Sequence, residues 1–244
     1  MNSPKLSIVT GHCNRPDSLA RLIRSIEACA AVDWELVISD ASDVAFLSAN
    51  PRVRIMPEKP RLGCTKGYNR AFRQARGEWV MWLNDDVEVL RGFDNCAIAF
   101  MEAHERIGLG ALHYAEPPAK PEFHVNEAWG CLYANFGILR RELGESVGWM
   151  DPEIEMYGCD NSLTLKVLLK DKGVADIPEA RVIHHSVKDA VRAANQKNKT
   201  KDNRTLTVKY MPLRRHWLAN YKKHRIDSGN AAWAHGQKPA MATR

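Results

Sequence analysis

The 244 residues are 45% hydrophobic and 26% charged, which is enough apolar side chain and enough length for one α/β core with an extension and excludes wholesale disorder. No apolar run approaches the roughly 20 residues of a membrane-spanning helix, and the opening MNSPKLSIVTGH has no charged start leading into an apolar run, so no signal peptide is read and a soluble, cytoplasmic protein is expected. The net charge of +6 is unevenly divided: residues 188–244 hold 14 Lys/Arg against 3 Asp/Glu, a net of +11 that leaves −5 on residues 1–187.

In chain order, Leu6–Thr10 (LSIVT) reads as a buried strand. Pro16 and Asp17 then open a helix with Leu19, Leu22, Ile23, Ile26 and Ala30 on one face. Glu35–Ser39 and Val53–Met56 read as further strands, and Tyr68, Ala71, Phe72 and Ala75 form a second helical stripe closed by Gly77. Glu78–Leu83 (EWVMWL) is a strong strand that runs straight into Asn84-Asp85-Asp86. A helix around Phe93–His104, a strand at Gly108–His113, a Pro-rich loop (AEPPAKPEF) and a helix at Leu163–Lys172 follow, then strands near Val174–Ile177 and Arg181–Ile183. Alternating strands and helices predict a mostly parallel sheet covered on both faces, with ligands bound beyond the carboxyl ends of its strands. There is no dinucleotide-binding or P-loop fingerprint. The six cysteines contain no CxxC pair, which points to free thiols.

Four places carry candidate chemistry. Asn84-Asp85-Asp86 at a strand end offers two carboxylates and an amide to a hard divalent cation that bridges a diphosphate, although the same residues suit a polar turn. Asp40 in SDASD ends another apolar strand and suits a base or ribose, or else an Asx-turn. His184-His185 ends the last strand, where a neutral imidazole would complete the coordination begun by Asp86. Asp160, in YGCDNSL ahead of a helix, reads as a helix cap or as a general base for an acceptor hydroxyl.

The order of these segments resembles the family 2 glycosyltransferases of the GT-A fold over residues 5–187. SIVTGHCNRPDSL, LVISDASD, LGCTKGYNRAFRQARGEWVMWLNDDVEV, GILRRELGESVGWMDPEIEMYGCDNSLTLKVLLKDKG and RVIHHS are similar to five blocks of that family in the family's order. The resemblance implies that Thr10, Arg15 and Asp40 line a nucleotide pocket, with Lys66 and Asn69 near ribose or diphosphate. Asn84, Asp85 and Asp86 occupy its DxD position. Asp86 would bind Mn²⁺ or Mg²⁺, Asp85 would lie close to the sugar, and His184 or His185 would add a metal contact. Asp160 would be the base for inverting transfer from a UDP- or dTDP-sugar. Four positions depart from the pattern: Ser39 and Asn84 replace acids, and Cys159 and Ser162 stand where the Glu-Asp motif has carboxylates.

The resemblance implies a 1–187 catalytic domain and leaves 188–244 as a basic, partly helical extension. There Leu213, Trp217 and Tyr221, with Leu218, form a stripe among Arg214, Arg215, Lys222, Lys223 and Arg225. Such a helix suits an anionic membrane surface, nucleic acid, or packing back onto the body. The acceptor that the resemblance implies is a lipid-linked cell-surface glycan of the lipopolysaccharide or capsule type, which suits a membrane-seeking tail; a hydroxymethylated pyrimidine in DNA, which suits the basic tail as well, is the alternative. A non-catalytic sugar-nucleotide or nucleic-acid-binding protein is a second alternative. The localisation expected is cytoplasmic and peripheral at the inner face of the membrane.

Overall fold

The fold is that of a computed structural model, described for residues 3–116 and 125–226; most of the Pro-rich loop and the end of the basic tail lie outside the described residues. In chain order the elements are β1 (Leu6–His12), α1 (Pro16–Cys29), β2 (Trp34–Asp40), β3 (Val53–Pro57), α2 (Cys64–Gln74), β4 (Trp79–Trp82), β5 (Val87–Val89), α3 (Asn95–Ala103) and β6 (Ile107–Ala115). They continue with β7 (Val125–Ala128), β8 (Cys131–Ala134), β9 (Gly137–Arg140), α4 (Arg141–Val147), α5 (Cys159–Leu169), β10 (Gly173–His184), α6 (Ala190–Asn195), α7 (Lys199–Tyr210) and α8 (Arg214–Lys223).

Eight strands form one sheet in the order β3-β2-β1-β4-β9-β6-β10-β5, and β7 and β8 make a separate hairpin. The pairs β3–β2, β2–β1, β1–β4 and β6–β10 are parallel, while β9 and β5 run antiparallel to their neighbours. Successive residues divide between two apolar clusters: Ile8, Ile38 and Met81 pack in one, Val9, Val37 and Trp82 in the other. That alternation puts a core on each face of the sheet. The first cluster takes Leu19, Leu22, Ile23 and Ile26 of α1, so the predicted stripe is the buried face. The second takes α2 and α5, and also Leu206, Tyr210 and Trp217 from the basic extension.

Sequence periodicity missed β5, β7, β8 and β9, which are only three or four residues long, too short to register a pattern. β9 slots between β4 and β6 because Gly137 leaves room for the Trp82 ring, which any Cβ at that position would overlap. The two strands expected at 174–177 and 181–183 are one strand, β10, whose pairing with β6 shifts register between Ile177 and Arg181. Pro178 lies inside that irregularity, where a missing N–H costs no ladder bond.

Candidate active site

The carboxyl ends of β1, β2, β4 and β10 converge on one crevice, as the parallel topology requires. Four of the expected residues meet there. Asp85 is buried between His12, whose Nδ1 lies 3.0 Å from its Oδ2, and Arg15, whose Nη1 lies 3.3 Å from its Oδ1. Arg15 also sits 3.9 Å from Asp86 Oδ2 and donates through Nε and Nη2 to Asp189 at 2.6 and 2.8 Å. That bidentate pairing with Asp189, against the cost of partial burial, holds the guanidinium well above its ordinary pKa and lowers Asp189 to about 2.

Asp86 accepts the Val187 backbone N–H at 3.0 Å through Oδ2. Its other oxygen, Oδ1, is buried without a hydrogen bond, and His184 Nε2 faces it at 3.2 Å outside hydrogen-bonding alignment. On the far side of that ring, Nδ1 lies 3.1 Å from Glu116 Oε1. With Nδ1 donating to Glu116, loss of the Nε2 proton would leave a lone pair beside that Asp86 carboxylate oxygen. An imidazole oriented by an outer carboxylate is the arrangement that metal-binding histidines adopt. Burial opposes ionisation of Asp86, but the facing His184, the Val187 N–H and Arg15 outweigh it, and its pKa falls below the usual carboxylate range. Among the described residues no group of three or more acidic, His or Cys side chains forms a ready-made cage. The donor set therefore fits a divalent cation that takes its remaining ligands from elsewhere.

Asp160 stands on a second wall, in the first turn of α5, where its charge reaches Tyr114, whose ring meets His184 edge-on. Gly158, at φ +95°, turns the chain into that helix, a conformation that favours glycine. Burial raises the Asp160 pKa to about 6, only partly offset by the Asn161 N–H it accepts at 2.9 Å. Its charge in turn helps to push Tyr114 and Tyr133 up, burial being the larger cause for both. A carboxylate titrating there is deprotonated at neutral pH and still basic enough to take a proton. The departures from the family motif have local causes. The Cys159 thiol is buried in the core, where a hydrogen bond with the free Cys64 thiol and burial push its pKa well up. Ser162 Oγ ties Cys159 O at 2.6 Å to the Asp151 N–H at 2.9 Å, a link that a carboxylate could not make.

The loop bearing Asp160 is fastened from the extension. Asp202, fully buried on α7, accepts the N–H groups of Glu155, Met156 and Tyr157 at 2.8, 2.9 and 2.9 Å. Lys209 and Tyr210 bond Asp151. Of the three readings open for the stripe, packing back onto the body describes its aromatic part: Trp217 is 1% exposed and donates to Tyr210 O, and Leu218 and Tyr221 lie against the same core, while Leu213 stays exposed.

Other expected site residues have different work. His185 is turned away from Asp86 and its Nε2 meets Glu88 Oε2 at 3.0 Å, because successive positions at a strand end face opposite sides. Asn69 is buried and brackets the Met150 backbone at 2.8 and 3.1 Å instead of opening to the crevice. Both Asp40 oxygens accept backbone N–H groups, of Ser42 at 3.0 Å and Phe46 at 2.9 Å, so the Asx-turn alternative describes its contacts. Burial opposes its ionisation, but those bonds hold its pKa down. Thr10 is fully buried beneath the crevice. Lys66 is exposed in the first turn of α2, and Asn84 Oδ1 accepts the Tyr68 hydroxyl at 3.0 Å. His12, Glu116 and Asp189 escaped the sequence reading; His12 alone carried a signal, two residues past Thr10 on a strand already assigned to the site.

The family model for Glycosyl transferase family 2 matches residues 7–156. The O-antigen biosynthesis protein RfbC of Myxococcus xanthus is 26% identical over 221 residues, covering 75% of this chain but only 17% of its own length. Among solved structures, S. aureus TarS 1–349 superposes with a TM-score of 0.65 at 14% identity over 94% of this chain and 72% of that one. The mannosyltransferase PcManGT from Pyrobaculum calidifontis, solved in complex with GDP-Man and Mn²⁺, gives 0.60 at 15% identity over 98% and 67%. These neighbours are GT-A glycosyltransferases, and the sheet described above is that fold. No helix among the described residues is long and apolar enough to cross a membrane.

Proposed function

The chain belongs to glycosyl transferase family 2, and from that premise we propose that it moves a sugar from a UDP- or dTDP-sugar to an acceptor hydroxyl, with inversion, in the assembly of a cell-surface polysaccharide. The observation that carries this reading is the pair formed by the unpartnered, buried Asp86 Oδ1 and His184 Nε2. These two would hold Mn²⁺ or Mg²⁺, with diphosphate oxygens and water as further ligands. When bound, the cation neutralises charge that develops on the departing diphosphate. The name of RfbC supports the biosynthetic role, and the Mn²⁺ in the PcManGT complex supports the cation.

The chain's own side chains do the rest. Arg15, locked by Asp189 and Asp85, keeps a fixed positive charge beside the diphosphate position. The Asn84 amide, its oxygen already bonded by Tyr68, is free to donate to the ribose. Asp160 takes the proton of the acceptor hydroxyl as the new carbon–oxygen bond forms and the bond to diphosphate breaks on the opposite face of the sugar. One displacement suffices, and no covalent sugar–enzyme intermediate is required. The test is sugar-nucleotide turnover with Mn²⁺, across UDP-, dTDP- and GDP-sugars, by the wild type and by Asp86→Ala. Turnover that needs the cation and vanishes in the variant is expected; equal turnover by both would overturn the reading.

A further inference from the structure

With its aromatic stripe turned inward, the basic extension presents a different outer surface. On α7, Asp202, Leu206 and Tyr210 recur every four residues and are all buried. The opposite face and the corner into α8 therefore meet solvent: Val208 is 66% exposed and Leu213 38%, with Pro212 exposed between them. Cations line the exposed side of the segment. Lys199, Arg204, Arg215 and Lys222 are exposed and have no ion-pair partner among the described residues, and Arg214 lies 5.7 Å over the Trp217 ring. Lys201, Lys209 and Lys223 are tied to Glu155, to Asp151 and Glu153, and to Asp171. Residues 188–226 contain two carboxylates, Asp189 and Asp202, and both are engaged inward, one by Arg15 and one by three backbone N–H groups. The charges of the segment are thus sorted, acids inward and bases outward.

We propose that the corner between α7 and α8 docks on an anionic lipid surface, with Val208 and Leu213 entering the interface and Arg204, Arg214 and Arg215 meeting the headgroups. Exposed aliphatic side chains ringed by cations match the two layers of a bilayer surface, apolar below and anionic above. Single-stranded nucleic acid would require exposed aromatics for base stacking, and here Trp217 and Tyr210 are 1% and 5% exposed. The orientation follows from the fastenings already described. The same helix that carries Val208 holds the Asp160 loop through Asp202, and Leu206 is the side chain nearest a Cβ placed on Gly158. Docking at this corner would present the base side of the crevice to acceptors held in the membrane plane.

Vesicle flotation of the full chain tests this independently of any transfer activity. The full chain is expected to float with phosphatidylglycerol/phosphatidylcholine vesicles at low salt, to float less at physiological salt, and not to float with phosphatidylcholine alone. Arg204→Ala and Arg215→Ala should each weaken binding about fivefold, and Val208→Glu with Leu213→Glu at least tenfold. Thermal melts and sugar-nucleotide turnover should stay at wild-type values, so that misfolding or a failed catalytic reading is recognised separately. Absence of binding to anionic vesicles, equal binding by the variants, or tighter binding to duplex DNA than to vesicles would overturn the proposal.

Discussion

The two walls of the crevice are held by opposite means. The wall of Asp85, Asp86 and His184 is built from strand ends, and its charges are fixed by one another: His12 and Arg15 on Asp85, Asp189 on Arg15, Glu116 on His184. The wall of Asp160 is the first turn of α5, tied to β8 by the Asn161 amide, and the loop that leads into it, whose N–H groups at 155–157 are held by Asp202 of α7 some 45 residues further along. One wall is fixed by charges at the sheet's strand ends. The other depends as well on Asp202, Asp151 and their partners, so it is the wall that sequence change in the extension reaches.

The sharpest way to break this comparison is at Asp160 itself. Asp160→Asn should lower transfer by about 10²–10⁴-fold while leaving sugar-nucleotide binding intact, as measured by isothermal titration. Because the folded-state pKa is raised to about 6 from 3.8, the fold favours the protonated form. Its stabilising contribution is complete below 3.8 and is lost as pH rises through about 6. The variant should therefore melt above the wild type at pH 7.5, with that advantage shrinking as pH falls through 6 towards 4. Wild-type transfer should fall along the same limb, halved near pH 6. On the other wall, Asp86→Ala should lower cation-dependent turnover roughly 10²–10³-fold and abolish quenching of protein fluorescence by Mn²⁺.

The third expected effect separates the walls by stability. Asp202→Ala removes the shared acceptor of three partly buried N–H groups and should cost about 2–4 kcal/mol, or roughly 5–15 °C in Tm. At temperatures where the variant stays folded, it should impair transfer more than donor binding, because the loop it releases leads directly into the turn of Asp160, the proposed base. Equal losses in both would show that the two walls share their support. The smallest effect is expected at Asp189→Asn, whose pairing with Arg15 is partly solvated and contributes under about 1 kcal/mol. Its folded pKa is lowered to about 2, so the contribution is present above 3.8 and disappears as pH approaches 2. Melts at pH 7 and pH 2 would show the difference at the first and none at the second.

Much of the first wall was legible because it is local. β1, β2 and β4 are apolar runs, and their polar residues begin where the strands end, so SDASD and NDD announced the crevice edge. What stayed hidden is direction. RVIHH offers two histidines, and only the placement of β10 against β5 and β6 turns His184 to Asp86 and His185 to Glu88. Asp40 and Asn69 read as ligand contacts because they are polar residues in matching blocks, yet their side chains meet backbone that sequence spacing does not reveal. The second wall was legible only as Asp160. The jump in charge near residue 188 draws attention to bases, whereas the residues that hold the loop are Asp202, Leu206, Tyr210 and Trp217, an acid and three apolar groups scattered within it.

The fastening by Asp202 also sets a timetable. The chain leaves the ribosome at about 5–20 residues per second, so the strand ends that carry Asp85 and Asp86 are complete seconds before α7 exists to grip residues 155–157. A nascent chain can close its sheet and its acidic edge while the loop before Asp160 is still loose. Competence for transfer thus arrives late in synthesis, with the segment that also carries the exposed apolar corner.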